Sequence, residues 1–369
     1  MPYDIILAGL GAMGSAAALS LAGRGLRVLG LDRYHPPHSL GSTHGGSRVI
    51  RETAFEHPRY VPLARRAFER WRKIEALTGE SLLHITGTLF VGAPTSPVIT
   101  GTLASARAHD VAHERIPTGQ LALRYPLLEG LDGAVGVLEP GGGWLDPERC
   151  VAACLGHAAK NGIDLRFDEA IERWEPDGDG VAVTTARGRY RGERLLLSAG
   201  PWMPELLGTV GATLGVERQV QHWFSPARGA AAFARMPIFI WQTPKAVFYA
   251  LPQSGGTIKV AVHHDGECTT PDTVRRTVSD EEIEATRVLL QRHIPALAGE
   301  HRRAAVCLYT NSADGDFVID WHPSHHSVLV ASPCSGFGFK FASAIGEILA
   351  DLLTGGTSWY DLAPFRIGR

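Results

Sequence analysis

The chain begins with the pattern that most constrains what it can fold into, a glycine-rich turn between an apolar run and a helix-forming segment. Residues 5–8 are apolar, and Gly9, Gly11 and Gly14 follow at the spacing G-x-G-x-x-G. Residues 15–22 are rich in alanine and leucine, which favours a helix. The order of strand, glycine turn and helix is typical of a Rossmann-type unit, and it predicts a dinucleotide-binding site.

The chemistry of each position fits a dinucleotide. Gly9 permits a tight turn, Gly11 lets the backbone approach a pyrophosphate, and Gly14 lets the helix pack closely on the strand. The N-terminus of the helix offers free N–H groups to the phosphates. A second apolar run, residues 27–31, ends at Asp32, where a carboxylate is expected to meet a ribose hydroxyl. The alternative is a glycine-rich turn without a nucleotide, in which Asp32 caps a surface turn.

The composition restricts the class of protein. The 369 residues carry a formal net charge of −2, and 44% of them are hydrophobic. This length allows two domains, and the near-neutral charge disfavours a basic nucleic-acid-binding protein. No apolar stretch reaches the length of about 20 residues that spans a bilayer, and the first one lacks a basic leader, so we expect a cytoplasmic protein. The five scattered cysteines predict neither a disulfide framework nor a metal site.

The rest of the chain alternates between extended and helical patterns. Residues 33–59 indicate a long glycine-rich loop, in which Arg48 and Arg51 are expected on one helical turn; a solvated basic loop is the alternative. Residues 165–174 indicate one strand. Strand–glycine–helix features return at 195–202 and 328–353, so we predict a discontinuous nucleotide-binding domain. It comprises residues 1–80, 145–215 and 300–369, and the mostly extended segments 81–144 and 216–299 form a substrate domain.

Passages along the whole chain match one known set of motifs. They read GLGAMG, PPHSLGSTHGGSRVIRE, YVPLARRAFERW, YALPQSGGTIKVAVHH, AVCLYTNSADGDFVIDWHP and SGFGFKFASAIGEILADL. Together they resemble the monomeric sarcosine oxidase and N-methyltryptophan oxidase family of flavoprotein amine oxidases. The resemblance implies a two-domain α/β fold of the glutathione-reductase-like and D-amino-acid-oxidase-like kind, with a Rossmann-type FAD-binding domain and a mostly antiparallel β-sheet substrate domain. It also implies FAD rather than NAD, and a monomer.

For the cofactor, the resemblance implies a covalent flavin. Cys307 falls where the family attaches the flavin 8α-methyl group through a thioether, although composition alone predicts a buried core cysteine. Arg48 and His44 match residues beside the isoalloxazine, and Lys259 matches the lysine that promotes oxygen reduction; an exposed lysine on a strand edge is the alternative. The resemblance and the glycine motifs place further cofactor-binding residues at Gly9, Gly11, Met13, Gly14, Asp32, Arg33, Ser42, Ala199, Gly200, Gly336, Gly338, Phe339 and Lys340.

For the substrate, the resemblance implies a clamp of two cations. Arg51 and Lys340 match the residues that hold the substrate carboxylate, which a guanidinium grips as a planar fork and an ammonium attracts as a point charge. Glu56 matches a loop glutamate that forms a salt bridge with the clamp. Tyr249 and His263 match polar residues that line the substrate cavity.

The chain departs from the family pattern at three positions. Gly46 replaces an acidic residue of the family pattern, Phe337 replaces a histidine and Ala54 replaces a tyrosine. We expect Phe337 and Trp241 to make the substrate pocket more apolar. The predicted activity is oxidation of a secondary amino acid, such as sarcosine, N-methyltryptophan or a cyclic imino acid, to an imine while O₂ becomes H₂O₂. The alternatives are an NAD-dependent dehydrogenase and a flavoprotein that reacts poorly with oxygen.

Overall fold

The computed structural model describes residues 2–208, 213–252 and 256–369. The α-helices in these ranges are α1 (Ala12–Leu21), α2 (Tyr60–Thr78), α3 (Pro97–His109), α4 (Thr118–Arg124), α5 (Pro147–Lys160), α6 (Met203–Leu207), α7 (Ala230–Phe233), α8 (Asp280–His293) and α9 (Ala342–Leu353). Short 3₁₀ helices cover Gly200–Trp202, Pro295–Leu297, Phe339–Phe341 and Ala363–Phe365.

The β-strands fall into three sheets. In chain order they are β1 (Tyr3–Ala8), β2 (Val28–Leu31), β3 (Arg48–Ile50), β4 (Leu83–Ile85), β5 (Thr88–Gly92), β6 (Glu114–Ile116), β7 (Val135–Glu139), β8 (Gly143–Leu145), β9 (Asp164–Arg166), β10 (Ile171–Asp177), β11 (Gly180–Thr185), β12 (Gly188–Leu197), β13 (Leu214–Phe224), β14 (Ile238–Gln242), β15 (Val247–Pro252), β16 (Ile258–His263), β17 (Cys268–Thr269), β18 (His301–Ser312), β19 (Val318–His322) and β20 (His325–Ser332).

The N-terminal pattern forms the centre of an eight-stranded sheet. Strand β1 pairs in parallel with β2 on one side and with β12 on the other. Strand β9 continues the parallel arrangement beyond β2, and β20 pairs in parallel with the end of β12. Helix α1 contacts both α5 and α9. The predicted strand–turn–helix–strand unit is thus confirmed, because apolar strands buried on both faces form a parallel sheet that helices cover.

The turn between β1 and α1 requires glycine. Gly9 adopts φ +90°, and a Cβ added at Gly14 would lie 1.8 Å from the Gly9 carbonyl oxygen. Any side chain at Gly14 would therefore push the helix away from the turn. The close packing predicted for Gly14 is confirmed.

The second sheet has nine strands and is mostly antiparallel, with one parallel pair between β5 and β14. It contains β18, which pairs with β13 from Leu214 to Phe224. The prediction placed every residue from 300 onward with the nucleotide-binding domain, whereas β18 belongs to the second sheet; the division into domains stays a prediction. The alternation of apolar and polar residues along a strand indicates which side chains share a face, but not which strand is the partner. The long pairing with β13 shows that β18 belongs to the second sheet.

Two local predictions are also corrected. Arg48 lies in β3, which pairs with β8 in a small three-stranded sheet, and Arg51 follows that strand, so the two arginines do not share a helical turn. Residues 165–174 form parts of two strands, because Asp168 adopts φ +53° between them. Strand β9 then pairs with β2, whereas β10 pairs with β11.

Candidate active site

One cavity is lined by residues from both large sheets. The predicted cofactor residues on it are Gly9, Gly11, Met13, Asp32, Arg33, Ser42, Ala199, Gly200, Gly336, Gly338 and Phe339. The predicted catalytic and substrate residues on the same cavity are Arg48, Arg51, Glu56, Tyr249, Lys259, His263, Phe337 and Lys340. Gly14, His44 and Cys307 do not line it. The fold thus brings most of the predicted site residues together around one space.

Asp32 connects the end of β2 to the glycine turn. Its carboxylate accepts a hydrogen bond from the Leu10 amide at 2.7 Å and another from the Tyr34 amide at 2.9 Å. Burial raises the pKa of Asp32, whereas the two amides oppose that rise. Asp32 therefore fixes the shape of the turn from within the cavity, and its contact with a ribose stays a prediction.

Several buried polar atoms on the cavity wall lack a partner among the described residues. They are Ser42 Oγ, Ser47 Oγ, Trp202 Nε1, Gln221 Oε1 and Thr310 Oγ1. A buried polar atom without a hydrogen bond costs about 1–3 kcal/mol. Such a set around one cavity indicates a ligand with many polar groups.

Cys307 lies just behind the cavity wall, on β18. Its side chain is buried, and its Sγ is 3.5 Å from Arg48 Nη2 and 3.5 Å from the Ser42 carbonyl oxygen. Both of these neighbours line the cavity. The thiol therefore contacts two groups that line the cavity without lining it itself.

Lys259 is a buried lysine on β16. Its side chain is 1% exposed, which excludes the alternative of an exposed edge lysine. Its ammonium group donates to the carbonyl oxygens of Gly45, at 3.2 Å, and Ser47. Burial lowers the pKa of Lys259 well below its usual value, and the nearby Arg48 lowers it further. The structure thus buries an amine at the cavity surface, where desolvation disfavours its charged form and the two carbonyl oxygens accept its hydrogen bonds.

Arg51 is buried and paired. Its Nη2 donates to Glu56 Oε1 at 2.7 Å, its Nη1 donates to the Thr53 carbonyl oxygen, and the guanidinium lies 4.4 Å from the centre of the Phe55 ring. The expected salt bridge between Glu56 and Arg51 is confirmed, whereas the role of Arg51 in a substrate clamp stays a prediction. Burial alone would raise the pKa of Glu56, but Arg51 and Lys340 outweigh it and the pKa lies below its usual value.

Lys340 is the second buried cation, in the 3₁₀ turn that precedes α9. Its Nζ donates to the Phe337 carbonyl oxygen at 3.0 Å and lies 4.4 Å from the centre of the Phe341 ring. Burial lowers the pKa of Lys340 to about 7, and Arg51 contributes to that lowering, while Glu56 opposes it. Arg51, Glu56 and Lys340 therefore form one group of buried charges on the cavity wall.

Polar side chains from β15, β16 and β18, three strands of the second sheet, line the same cavity. Tyr249 on β15 is opposite Ala261, and burial raises the pKa of its hydroxyl to about 12. His263 on β16 lies with its Nδ1 3.2 Å from the Tyr309 hydroxyl. Burial lowers the pKa of His263 to about 4, so the ring is neutral near pH 7.

His44 and Gly46 lie in the turn before β3. His44 is 4% exposed, and burial, followed by the charge of Arg48, lowers its pKa to about 4. Gly46, where an acid was expected from the resemblance, adopts φ +74°, and its amide donates to the Glu148 carboxylate. A carboxylate thus reaches this turn from α5 rather than from the turn itself.

The sequence interpretation missed two residues that bear on the site. Tyr309 lines the cavity two positions after Cys307, so the alternation of side chains along a strand predicts the same face for both. Glu139 is 1% exposed, and its carboxylate accepts hydrogen bonds from the amides of Glu52, at 2.6 Å, and Thr53, at 3.1 Å. It anchors the segment that carries Arg51, and no local pattern indicates that contact.

Trp241 does not make the pocket more apolar as expected. It packs in the core of the second sheet, with its ring 5.7 Å from that of Phe248 and 4.8 Å from that of His293. Its neighbour Ile240 lines the cavity instead. Successive side chains point to opposite faces of a strand. Ile240 is paired with Tyr249 of β15, so its side chain lies on the face of the sheet that lines the cavity. Phe337 does line the cavity, as expected.

Comparison with known proteins identifies the family. A family model described as DAO, FAD dependent oxidoreductase, matches residues 4–352. The chain belongs to this family. It is 42% identical to monomeric sarcosine oxidase from Streptomyces avermitilis over 98% of this chain and 96% of that protein. It is 34% identical to N-methyl-L-tryptophan oxidase from Salmonella arizonae over 100% of this chain and 99% of that protein.

A solved structure agrees with this assignment. NikD, described as an unusual amino acid oxidase essential for nikkomycin biosynthesis, superposes with a TM-score of 0.86 and 26% identity, covering 99% of this chain and 97% of that chain. The predicted resemblance to the sarcosine oxidase and N-methyltryptophan oxidase family is confirmed, as are the α/β fold class and FAD as the cofactor type.

The residues present fit FAD. The cavity reaches from the glycine turn between β1 and α1 to Lys340. Unpartnered polar atoms on its wall offer hydrogen-bond donors and acceptors to a ligand in it. The residues that would hold the cofactor are those of the glycine turn, Asp32, Ser42, Ala199 and Gly200. No helix in the described ranges is long and apolar enough to cross a membrane.

Proposed function

We propose that this chain is a flavin-dependent oxidase of secondary amino acids that works with O₂ as electron acceptor. The observation that carries the proposal is the pair of buried cations, Arg51 and Lys340, on the cavity that also holds Lys259 and the glycine turn. The relatives described as sarcosine and N-methyl-L-tryptophan oxidases support the same substrate class. Sarcosine, an N-methyl aromatic amino acid and a cyclic imino acid are the candidate substrates.

The clamp orients the substrate. Arg51 offers a planar pair of N–H donors and Lys340 offers a point charge, and together they suit one carboxylate. In the free protein Glu56 occupies one side of Arg51. A substrate carboxylate therefore replaces the Glu56 carboxylate on the guanidinium, and the departure of Glu56 keeps the site close to neutral.

The amine end of the substrate meets uncharged groups. His263 is neutral near pH 7, so its ring can accept a hydrogen bond from the substrate N–H. Tyr249 keeps its proton, because burial raises the pKa of its hydroxyl to about 12. A neutral, buried environment favours the free-base form of the amine, which is the form that gives up hydride.

When bound, FAD would supply the redox chemistry, namely acceptance of a hydride equivalent from the carbon next to nitrogen and transfer of two electrons to O₂ to give H₂O₂. The imine product hydrolyses in water, which for an N-methyl amino acid yields formaldehyde and the primary amino acid. Lys259 stabilises the negative charge that develops as oxygen accepts an electron, since a fixed cation acts strongly where water is excluded. We further propose that Cys307 carries the flavin covalently, and that the protein is a cytoplasmic monomer.

The test of the activity is a substrate panel. Sarcosine, N-methyltryptophan, pipecolate and proline are added to the purified protein, and peroxide is followed with a coupled peroxidase. Turnover of at least one secondary amine, with peroxide and substrate in equal amounts, supports the proposal. A yellow protein that amines reduce but air does not reoxidise would instead indicate a dehydrogenase, and no reduction by any amine would contradict the proposed substrate class.

The pKa of Lys340 predicts how carboxylate binding depends on pH. Its protonated fraction falls from about nine-tenths at pH 6 to about one-tenth at pH 8, because the pKa lies at about 7. We expect the affinity for acetate, a carboxylate that cannot be oxidised, to weaken about tenfold over that interval. His263, with a pKa of about 4, and Glu56, with a lowered pKa, do not change charge in this range.

The measurement is titration with acetate, followed by the change in flavin absorbance. In the Lys340→Met variant the affinity should be weaker throughout and independent of pH between 6 and 8. A wild-type affinity that does not change with pH would show that Lys340 keeps one charge state over this range.

The proposed tether predicts where the flavin goes on denaturation. After acid precipitation the wild-type pellet should stay yellow, whereas Cys307→Ser should release all its flavin into the supernatant. Cys268→Ser is the control, because Cys268 is exposed and does not line the cavity. Yellow supernatant from the wild type would rule out a covalent bond.

A further inference from the structure

A carboxylate from outside the cavity holds the turn on which Lys259 depends. Glu148 lies in the first turn of α5, and its Oε1 accepts hydrogen bonds from the amides of Gly45, at 2.6 Å, and Gly46, at 3.1 Å. Its Oε2 is 3.2 Å from the Gly46 nitrogen. Hydrogen bonds from backbone amides to a carboxylate are about twice as strong as neutral ones.

The turn needs such support. Gly45 and Gly46 adopt φ +96° and +74°, a conformation that other residues rarely take. A Cβ at Gly45 would also lie 2.0 Å from Gln221 Oε1. Two successive glycines have high conformational entropy in the absence of contacts, so their fixed shape depends on the groups that bind their amides.

The other side of the same turn binds Lys259. The carbonyl oxygens of Gly45 and Ser47 accept the hydrogen bonds of its ammonium group. The amide of Gly45 thus contacts Glu148 while its carbonyl contacts Lys259. Glu148 also acts on Lys259 through space, since its charge opposes the effect of burial on the lysine pKa.

We propose that Glu148 is a positioning residue for Lys259, acting through the Gly45–Ser47 turn. This inference rests on the proposed function, which gives Lys259 its role in oxygen reduction. Helix α5 does not need Glu148 as its cap, because Asp146 already accepts the hydrogen bond from the Arg149 amide. The carboxylate of Glu148 is directed to the turn instead, where it holds the two carbonyls in the positions that the ammonium group requires.

The chain offers a matched control. Glu75 on α2 makes the same kind of contact, since its Oε1 accepts hydrogen bonds from the amides of Leu82, at 2.7 Å, and Leu83, at 2.9 Å. Glu75 does not line the cavity. Removal of either carboxylate deletes two amide contacts, and only one of the two deletions affects the turn at Lys259.

The experiment compares Glu148→Ala, Glu148→Gln and Glu75→Ala with the wild type. The flavin is reduced anaerobically with dithionite and mixed with O₂, so that no amine is needed. Hydrogen exchange of peptides that cover residues 42–50 is measured in parallel by mass spectrometry. We expect Glu148→Ala to reoxidise about tenfold more slowly and to exchange faster at residues 45–46, since the turn loses its acceptors.

The glutamine variant tests positioning directly. A side-chain amide oxygen can still accept from Gly45 and Gly46, so Glu148→Gln should keep its exchange protection and should slow reoxidation less than Glu148→Ala, because it loses only the charge that acts on Lys259. Glu75→Ala should match the wild type in both measurements. Unchanged reoxidation in Glu148→Ala, or equal slowing in Glu75→Ala, would overturn the proposal.

The exchange data keep the outcome separate from the amine oxidase activity. If the wild type oxidises no amine, the proposed substrate class fails, but the dithionite experiment still reports on Glu148. If Glu148→Ala retains no flavin, hydrogen exchange in that variant decides the outcome. Protection of residues 45–46 equal to that in the wild type overturns the inference, and lost protection supports it.

Discussion

Replacement of Lys259 by methionine is expected to slow the reaction of the reduced flavin with O₂ by about 10²–10³-fold, the cost of removing one fixed electrostatic partner from a water-excluded site. The reduction of the flavin by an amine should change by less than about threefold, because the ammonium group acts on the developing oxygen anion and not on the substrate carboxylate. Methionine retains the length of the side chain, so the packing of β16 is largely kept.

Stopped-flow absorbance separates the two half-reactions. Anaerobic mixing with substrate gives the rate of flavin reduction, and mixing of the reduced enzyme with O₂ gives the rate of reoxidation. Lys245→Met is the control, since Lys245 is an exposed lysine in the same sheet region. Reoxidation of Lys259→Met at the wild-type rate would remove Lys259 from the oxygen reaction.

Replacement of Arg51 by methionine is expected to lower kcat/KM for a carboxylate-bearing secondary amine by about 10³-fold. Each charge-assisted hydrogen bond contributes about 1.5–3 kcal/mol, and the guanidinium can make two of them to one carboxylate. The variant also leaves Glu56 buried without its partner, and that negative charge repels the incoming substrate. Arg51→Lys should recover part of the loss, because it keeps the charge but not the planar fork.

A double variant and a second substrate isolate the carboxylate effect. Arg51→Met with Glu56→Gln removes the unpaired charge, and should recover about tenfold of the loss. N-methylbenzylamine has no carboxylate, so its slow oxidation should be nearly the same in the wild type and Arg51→Met. Equal losses for both substrates would show that Arg51 supports the fold of the site and does not bind the carboxylate.

Short sequence patterns indicate those turns and helix ends whose conformation is decided by residues adjacent in the chain. The glycine spacing predicted the turn between β1 and α1. The starts of α5 and α8 carry signals of the same short range, since Asp146 accepts from the Arg149 amide and Ser279 forms a capping box with Glu282. Such signals are short-range, because a cap or a tight turn is decided within four residues.

The candidate site was predictable in a different way. Arg51, Lys259 and Lys340 are far apart in the sequence, and no period or spacing connects them. The resemblance to the oxidase family supplied these positions, and the structure brings all three to one cavity. Their roles stay predictions, which the variants above test.

Only the tertiary structure decided the contacts between distant backbones and side chains. The acceptors for the amides of Glu52 and Gly46 come from Glu139 and Glu148, which lie 87 and 102 residues further along the chain. The pairing of β18 with β13 and the inward position of Ile240 rather than Trp241 are of the same kind. The sequence by itself determined the features that adjacent residues decide, such as the glycine turn after β1 and the caps of α5 and α8. The burial of a side chain and the pairing of a strand depend on residues that are distant in the sequence. They stabilise the fold only when the surfaces that pack together are all in place.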